Sequence, residues 1–288
     1  MTDDTLVPAA NRPRSSHRPP QTGPRGTARR IGAMVLRYWF LLRGSWPRIL
    51  ELAYWPTVQM ILWGLITTHL LTNSTWIAQA FGVLIAGVLL WDVLFRGQLG
   101  MSLSFLEELW SRNLGHLFVS PLRPQEWVLS LMVMSLIRTL IGVIPAASLA
   151  IPLYAFNVFE IGPALYAFFA LLLATGWWMA LFITGLILRF GLGAESLAWL
   201  FVFLLAPISA IYYPVDVLPT WGQWIAYALP PAHVFEGMRA VLFEDIIRWD
   251  HLGWAAVLNL LYLSLGSLFF LSQFRHARVQ GSLLQQGE

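Results

Sequence analysis

The chain has 288 residues, of which 57% are hydrophobic and only 11% are charged. Soluble domains carry charge on about a quarter of their residues, so this composition predicts an integral membrane protein. The absence of cysteine excludes disulfides, thiol nucleophiles and thiolate metal sites. All 18 basic residues are arginine, and because a phosphate-binding P-loop needs a lysine, the chain is predicted to lack a P-loop ATPase site.

The N-terminal region divides into a polar part and an amphipathic part. The first 28 residues are rich in Pro, Arg, Ser and Thr, which predicts a disordered cytoplasmic tail. In residues 29–46, a helix would place Arg30 and Arg37 on one face and Met34 and Tyr38 largely on another. This pattern predicts an interfacial helix with its arginines towards anionic headgroups; a ragged start to the first span is the alternative. Half of the arginines precede the first span, which indicates a cytoplasmic membrane anchor rather than a nucleic-acid partner.

Six apolar runs are long enough to cross a hydrocarbon core, which takes about 20 residues. They predict an all-α polytopic membrane protein in which residues 29–278 form a six-span unit and residues 279–288 a cytoplasmic C-terminal tail. Pro145 and Pro152 mark possible kinks in the long third run. The six predicted spans are Leu50–Leu71, Trp76–Phe95, Trp127–Tyr154, Ile161–Leu188, Ser196–Tyr213 and Leu252–Phe274.

Arginines are divided unequally between the two sides that six spans create. One side carries only Arg239 and Arg248. By the positive-inside rule, the other side is the cytoplasm, which predicts a bacterial cytoplasmic (inner) membrane protein with both termini inside. That arginine-rich side holds the N-terminal segment, Arg96, Arg112, Arg123, Arg189, Arg275 and Arg278.

The segment between the second and third spans, FLEELWSRNLGHLFVSPLRPQEW (Phe105–Trp127), is polar and amphipathic. Apolar residues recur at spacings of three and four, which predicts one amphipathic helix or two short ones. Prolines then turn the chain back to the membrane. We interpret the segment as a peg for a groove on a cytoplasmic partner; a surface linker is the alternative. Its characteristic residues are Glu107, Glu108, Arg112, His116 and Pro121.

The segment after the fifth span, YYPVDVLPTWGQWIAYALPPAHVFEGMRAVLF, is amphipathic although it lies on the outer side. Pro219 is predicted to start one short helix, and Pro230 to break it before a second helix. The pattern indicates a helical hairpin dipping into the outer leaflet. Glu236 and Arg239 are three residues apart and are expected to pair. His233 is not a metal site by itself, and we predict no metal site.

Ionisable groups inside a span are costly and often functional. Arg138 lies about eleven residues into the third span, and helical side chains lean towards their N-terminus, here the cytoplasm. Asp92 is placed near the cytoplasmic end of the second span. The sequence therefore predicts an Asp92–Arg138 contact, direct or through water, with simple snorkelling of Arg138 as the alternative.

Two segments carry a family resemblance that covers roughly residues 30–275. EELWSRNLGHLFVSPLRPQEW resembles the segment after the second span in membrane subunits of type-2 ABC exporters. The outer segment is similar to the Pro-rich signature of the same family before the last span. Its matching positions are Tyr213, Pro214, Leu218, Pro219, Pro230, His233, Glu236 and Arg239.

The resemblance implies a transport subunit and no enzyme. Two permease subunits, identical or different, would pair in the lipid bilayer, and each would dock on a separate P-loop ATPase subunit. The docking site would be formed by the characteristic residues of Phe105–Trp127, which are Glu107, Glu108, Arg112, His116 and Pro121. The chain would hold no cofactor, and ATP and Mg would bind to the partner. An ion-coupled secondary transporter or channel is the alternative function, and a membrane-embedded enzyme is a further one.

Overall fold

The structure is a computed structural model that describes residues 23–73 and 81–280, and these residues form helices without any strand. Five of the helices, α2, α3, α5, α6 and α10, are long and apolar enough to cross a membrane. The α-helices of the described ranges are α1 (Pro24–Arg43), α2 (Trp46–Asn73), α3 (Phe81–Trp110), α4 (Leu114–Val119), α5 (Pro124–Tyr154), α6 (Pro163–Phe190), α7 (Leu197–Leu205), α8 (Thr220–Tyr227), α9 (Pro230–Glu244) and α10 (Trp249–Gln280).

The centre of the bundle is α6, which packs along α3 on one side and α10 on the other. Close approach to α3 depends on Gly176, because a methyl group there would lie 2.7 Å from the Gln98 nitrogen and the Leu94 carbonyl oxygen. The α10 helix packs in the same way at Gly266, against the backbone of Trp178. Small residues of this kind allow membrane helices to approach closely.

Buried side chains mark two opposite ends of the bundle. One end, here called the α1 end, contains α1, the last turns of α3, the start of α5 and the last turns of α10. Its buried cluster includes Tyr38, Phe105, Trp127, Phe270 and Phe274. The other end, here called the hairpin end, contains α8 and α9, which pack on each other, while α9 also packs on α6 and α10.

The predicted fifth span, Ser196–Tyr213, is helical only over the nine residues of α7 and continues as turns and bends. Ala198, near its start, belongs to the buried cluster of the α1 end. Ala210, near its finish, accepts a hydrogen bond from Arg239 of α9 at the hairpin end. The segment therefore passes from one end of the bundle to the other with less than a full spanning helix.

Helix boundaries differ from the predicted ones at three places. The α1 helix begins at Pro24, a favourable first helical residue, so residues 24–28 of the predicted tail are helical. The α3 helix does not stop at Phe95 but runs on to Trp110, and α10 extends beyond residue 278 to Gln280. Residues 1–22, residues 76–80 of the predicted second span and residues 281–288 lie outside the described residues.

Candidate functional site

The predicted peg begins as the end of α3 and continues as a tight turn and the six-residue α4. The turn has the Schellman pattern: the Asn113 amide donates to the Glu108 carbonyl, and the Arg112 amide donates to the Leu109 carbonyl. Arg112 has φ 53°, the left-handed conformation that is usually left to glycine at this position. For an L-residue this conformation costs about 1–2 kcal/mol.

The first glutamates of the peg are directed into the protein. Glu108 is only 1% exposed, and both of its oxygens accept hydrogen bonds from the guanidinium of Arg37 on α1. Asn113 Nδ2 also donates to it, at 2.8 Å. Glu107 accepts from Arg48 at 3.2 Å and from Arg138 at 3.4 Å. Glu107 and Glu108 therefore tie α3 to α1, α2 and α5.

A second anchor joins α1 to the start of α5. Glu126 accepts hydrogen bonds from Thr27 Oγ1 at 2.9 Å, from Arg30 Nε at 2.8 Å and from the Arg123 amide at 3.0 Å. About two turns beyond Arg30 on α1, the Tyr38 hydroxyl accepts a hydrogen bond of 3.0 Å from Trp127 Nε1. Burial raises the pKa of Tyr38 far above its ordinary value, so the phenol keeps its proton.

The α1 contacts correct the predicted orientation of this helix. Arg30 and Arg37 do not point to headgroups, because the carboxylates of Glu126 and Glu108 hold them against the bundle. Sequence reasoning also missed Thr27 and Tyr38 as anchoring residues. The sequence did contain a signal for this arrangement: two arginines on one face of α1 and two acids, Glu108 and Glu126, within the peg.

The remaining predicted residues of the peg lie on its outside. Arg112, His116 and Pro121 are exposed, and Arg123 is exposed beside them. Among the described residues, none makes a side-chain ion pair with any of these groups. The structure thus separates the five residues predicted for docking into two anchors, Glu107 and Glu108, and three outward-facing residues.

The intramembrane pair differs from its prediction. Arg138 leans towards the α1 end, as helical geometry requires, but its carboxylate partner is Glu107. Asp92 is buried eleven residues beyond the start of α3, far from the end of that extended helix, and its Coulombic partner is Arg96. No direct Asp92–Arg138 ion pair or hydrogen bond is found within residues 23–73 and 81–280. The prediction placed Asp92 too close to the end of its helix, because α3 runs on to Trp110.

Two residues of α9, Glu236 and Arg239, hold the irregular segment after α7. Arg239 Nη2 donates to Glu236 at 2.8 Å, and Arg239 Nη1 donates to the Ala210 carbonyl at 2.8 Å. Glu236 in turn accepts from the Val215 amide at 2.7 Å. Because Ala210 has φ 54°, these bonds hold a strained backbone in place.

The prolines of the Pro-rich signature lie at helix starts, as the sequence predicted for Pro219 and Pro230. Pro219 precedes α8, Pro230 is the first residue of α9, and Pro214 stands exposed before a short 3-10 turn. His233 Nε2 donates to the Tyr227 carbonyl at 2.8 Å. In a neutral ring its Nδ1 is then an acceptor, so His251 Nδ1 donates to it at 3.2 Å.

Within residues 23–73 and 81–280, these contacts form two attachments, one at each end of the bundle, and bring together no arrangement of acid, base and nucleophile. Residues 31–243 match the family model of the ABC-2 type transporter. Comparison with curated proteins finds no match. The match covers most of the chain, from α1 through α9, and includes both the peg and the hairpin. The chain therefore belongs to the ABC-2 type transporter family and is a membrane transport component rather than a catalyst.

Proposed function

We propose that the chain is the permease subunit of an ATP-driven exporter that docks through Phe105–Trp127 on a separate ATPase subunit. The observation that carries this proposal is the continuity of α3 with the peg. The 30 residues of α3 at ~1.5 Å each make about 45 Å, against a hydrocarbon core of about 30 Å. A force on the peg would act directly on a membrane helix.

The anchors around the peg support the same role. Arg37 ties the end of α3 to α1, and Arg30 ties the start of α5 to the same helix. The two membrane helices that flank the peg, α3 and α5, are therefore both attached to α1. Motion of an ATPase bound to the peg would move α3 and α5 together rather than bend the loop between them.

The chain path and its charges support a six-span arrangement with both termini in the cytoplasm. The irregular segment Leu197–Tyr213 would supply the crossing that α7 is too short to make alone. Such backbone is tolerated at membrane depth where protein covers it, and Arg239 and Glu236 supply its hydrogen bonds. The arginine distribution supports an orientation with the α1 end towards the cytoplasm of a bacterial inner membrane.

Nucleotide chemistry and the complete pathway would require other chains. Since the chain has no lysine for a P-loop, ATP and Mg would bind to the ATPase subunit. A second permease subunit would face α7, whose Trp199 and Phe203 are exposed next to Phe95. Family membership favours this function over an ion-coupled transporter or channel.

The test is recovery of the tagged chain from its native membrane in a mild detergent. We expect a P-loop ATPase without membrane spans to be recovered in stoichiometric amount, and its ATP hydrolysis to require the chain. A matched preparation of the chain alone should hydrolyse no ATP. ATP hydrolysis by the isolated chain, or the absence of any ATPase in the complex, would contradict the proposal.

A further inference from the structure

The charges of the peg are not equally available to a partner. Its three acids are Glu107, Glu108 and Glu126, and each accepts hydrogen bonds from arginines of the same chain. Its bases, Arg112, His116 and Arg123, are all exposed. The balanced sequence of the peg therefore folds into a surface whose outward charge is positive.

Apolar groups lie within the same surface. The Val119 side chain is 89% exposed and that of Trp110 is 48% exposed. Exposed aromatic and aliphatic residues surrounded by polar groups are typical of protein interfaces. We call Trp110, Arg112, His116, Val119 and Arg123 the basic docking face.

The turn that ends α3 presents the side chain of Arg112 to the outside. Glycine would adopt the φ of 53° without strain, yet this position carries an arginine with an exposed side chain. No ion pair within the described part of the chain uses its guanidinium. The guanidinium is therefore available for a contact made outside the chain.

Anionic lipid is a less suitable partner than protein. The basic docking face follows the last turn of α3, a helix about 15 Å longer than the hydrocarbon core by the ~1.5 Å rise of each residue. A helix that begins at the opposite core boundary would carry the face about 15 Å past the core, beyond headgroup regions of about 5–7 Å on each side. The buried acids fix the orientation of the face because they join it to α1 and α5.

We propose that the basic docking face binds an acidic cleft with an apolar floor on the ATPase subunit, and that Glu107 and Glu108 position the face without touching the partner. This inference rests on the proposed function. It names the chemistry of the partner surface: carboxylates opposite Arg112 and Arg123, and an apolar pocket for Val119.

The test measures the affinity of the co-purified P-loop ATPase for variants of the chain in nanodiscs of neutral phosphatidylcholine. The double variant Arg112→Glu/Arg123→Glu is expected to bind at least about tenfold more weakly and to lose most of the salt dependence of binding. Arg112→Gly relieves the backbone strain, so it should fold at least as well as the wild type but bind about threefold more weakly. Arg112→Lys keeps the charge and should retain most of the affinity.

The matched control is Arg278→Glu, a charge reversal at an exposed residue near the end of α10, which should change affinity less than about twofold. Equal binding by the wild type and the double variant would overturn the inference and leave the proposed function intact. Weakened binding only in discs of anionic lipid would also overturn it, because the face would then contact lipid. If the wild-type chain recovers no ATPase, both proposals fail.

Discussion

At the residue scale, neighbouring glutamates of α3 form ion pairs of very different exposure. Glu108 and its partner Arg37 have side-chain exposures of 2% and 36%, whereas Glu107 and its partner Arg48 have 23% and 53%. Removing the charged partner of a buried carboxylate lowers the stability of the fold much more than removing the partner of an exposed one. The two pairs therefore allow a direct comparison within one helix turn.

Arg37→Met is expected to lower the free energy of unfolding by about 2 kcal/mol, because the buried Glu108 then loses its charged partner and keeps neutral donors such as Asn113. This value is below that of a fully buried pair because Arg37 is partly exposed. The control Arg48→Met should cost less than about 1 kcal/mol. Thermal unfolding of the purified chain in detergent measures both changes, and equal losses would show that Glu108 does not depend on Arg37.

The His233–His251 contact at the hairpin end predicts a dependence of stability on pH. Burial lowers the pKa of His233 from its ordinary value of 6.5. The nearby charges of Asp250, Glu236 and the His251 ring also act on it. Below about pH 6.5 the unfolded chain binds more protons at this site than the folded chain, so stability falls as the pH decreases.

The measurement is the melting temperature of the wild type and of His233→Gln between pH 7.5 and pH 5.5. A proton on His233 Nδ1 would oppose the Nδ1–H of His251 and break their hydrogen bond. The wild type should lose more stability than the variant over this range. An identical pH profile for the two proteins would rule out His233 as the group responsible.

At the scale of single elements, apolar run length predicted the long helices well because hydrocarbon thickness determines it. The end of α3 was not predictable in this way. The charges of Glu107 and Glu108 end the apolar run, but glutamate favours helix, and the helix continues through both residues, which pair with Arg37, Arg48 and Arg138.

Side-chain partners were less predictable than helices. A single sequence shows that Arg30 and Arg37 share a face of α1, but not whether that face meets lipid or carboxylates. Likewise, Arg138 pairs with Glu107 and not with Asp92 because of how α3 and α5 are shifted along each other. Hydrophobic periodicity does not specify this shift. The Glu236–Arg239 spacing was informative since both residues lie on one helix.

The packing of α3 against α6 predicts a severe response to one methyl group. Gly176→Ala would place a carbon 2.7 Å from backbone atoms of Gln98 and Leu94, which cannot move without shifting α3. We expect a loss of about 1–3 kcal/mol in unfolding free energy. Gly253→Ala on α10 meets nothing within 4 Å and should gain up to about 1 kcal/mol. Similar melting temperatures for the two variants would mean that α3 and α6 are not in such close contact.

At the scale of the whole molecule, the side of the membrane reached by each end depends on the segment Leu197–Tyr213. If this segment crosses the bilayer, the peg and the end of α10 lie on one side and the hairpin on the other. If it does not, the hairpin lies on the side of the peg, and α10 carries the C-terminal end to the opposite side. One short irregular segment thus decides the topology of everything that follows it.

The natural absence of cysteine makes this topology measurable with single substitutions. Val119→Cys, Val217→Cys and Val279→Cys replace valines that are 89%, 67% and 85% exposed, in the peg, near the start of the hairpin and at the end of α10. A membrane-impermeant maleimide added to intact cells should label only Val217→Cys, and all three should react after permeabilisation. Labelling of Val279→Cys but not Val217→Cys in intact cells would show that Leu197–Tyr213 does not cross. Labelling of Val119→Cys from outside would reverse the orientation and remove the peg from any cytoplasmic ATPase.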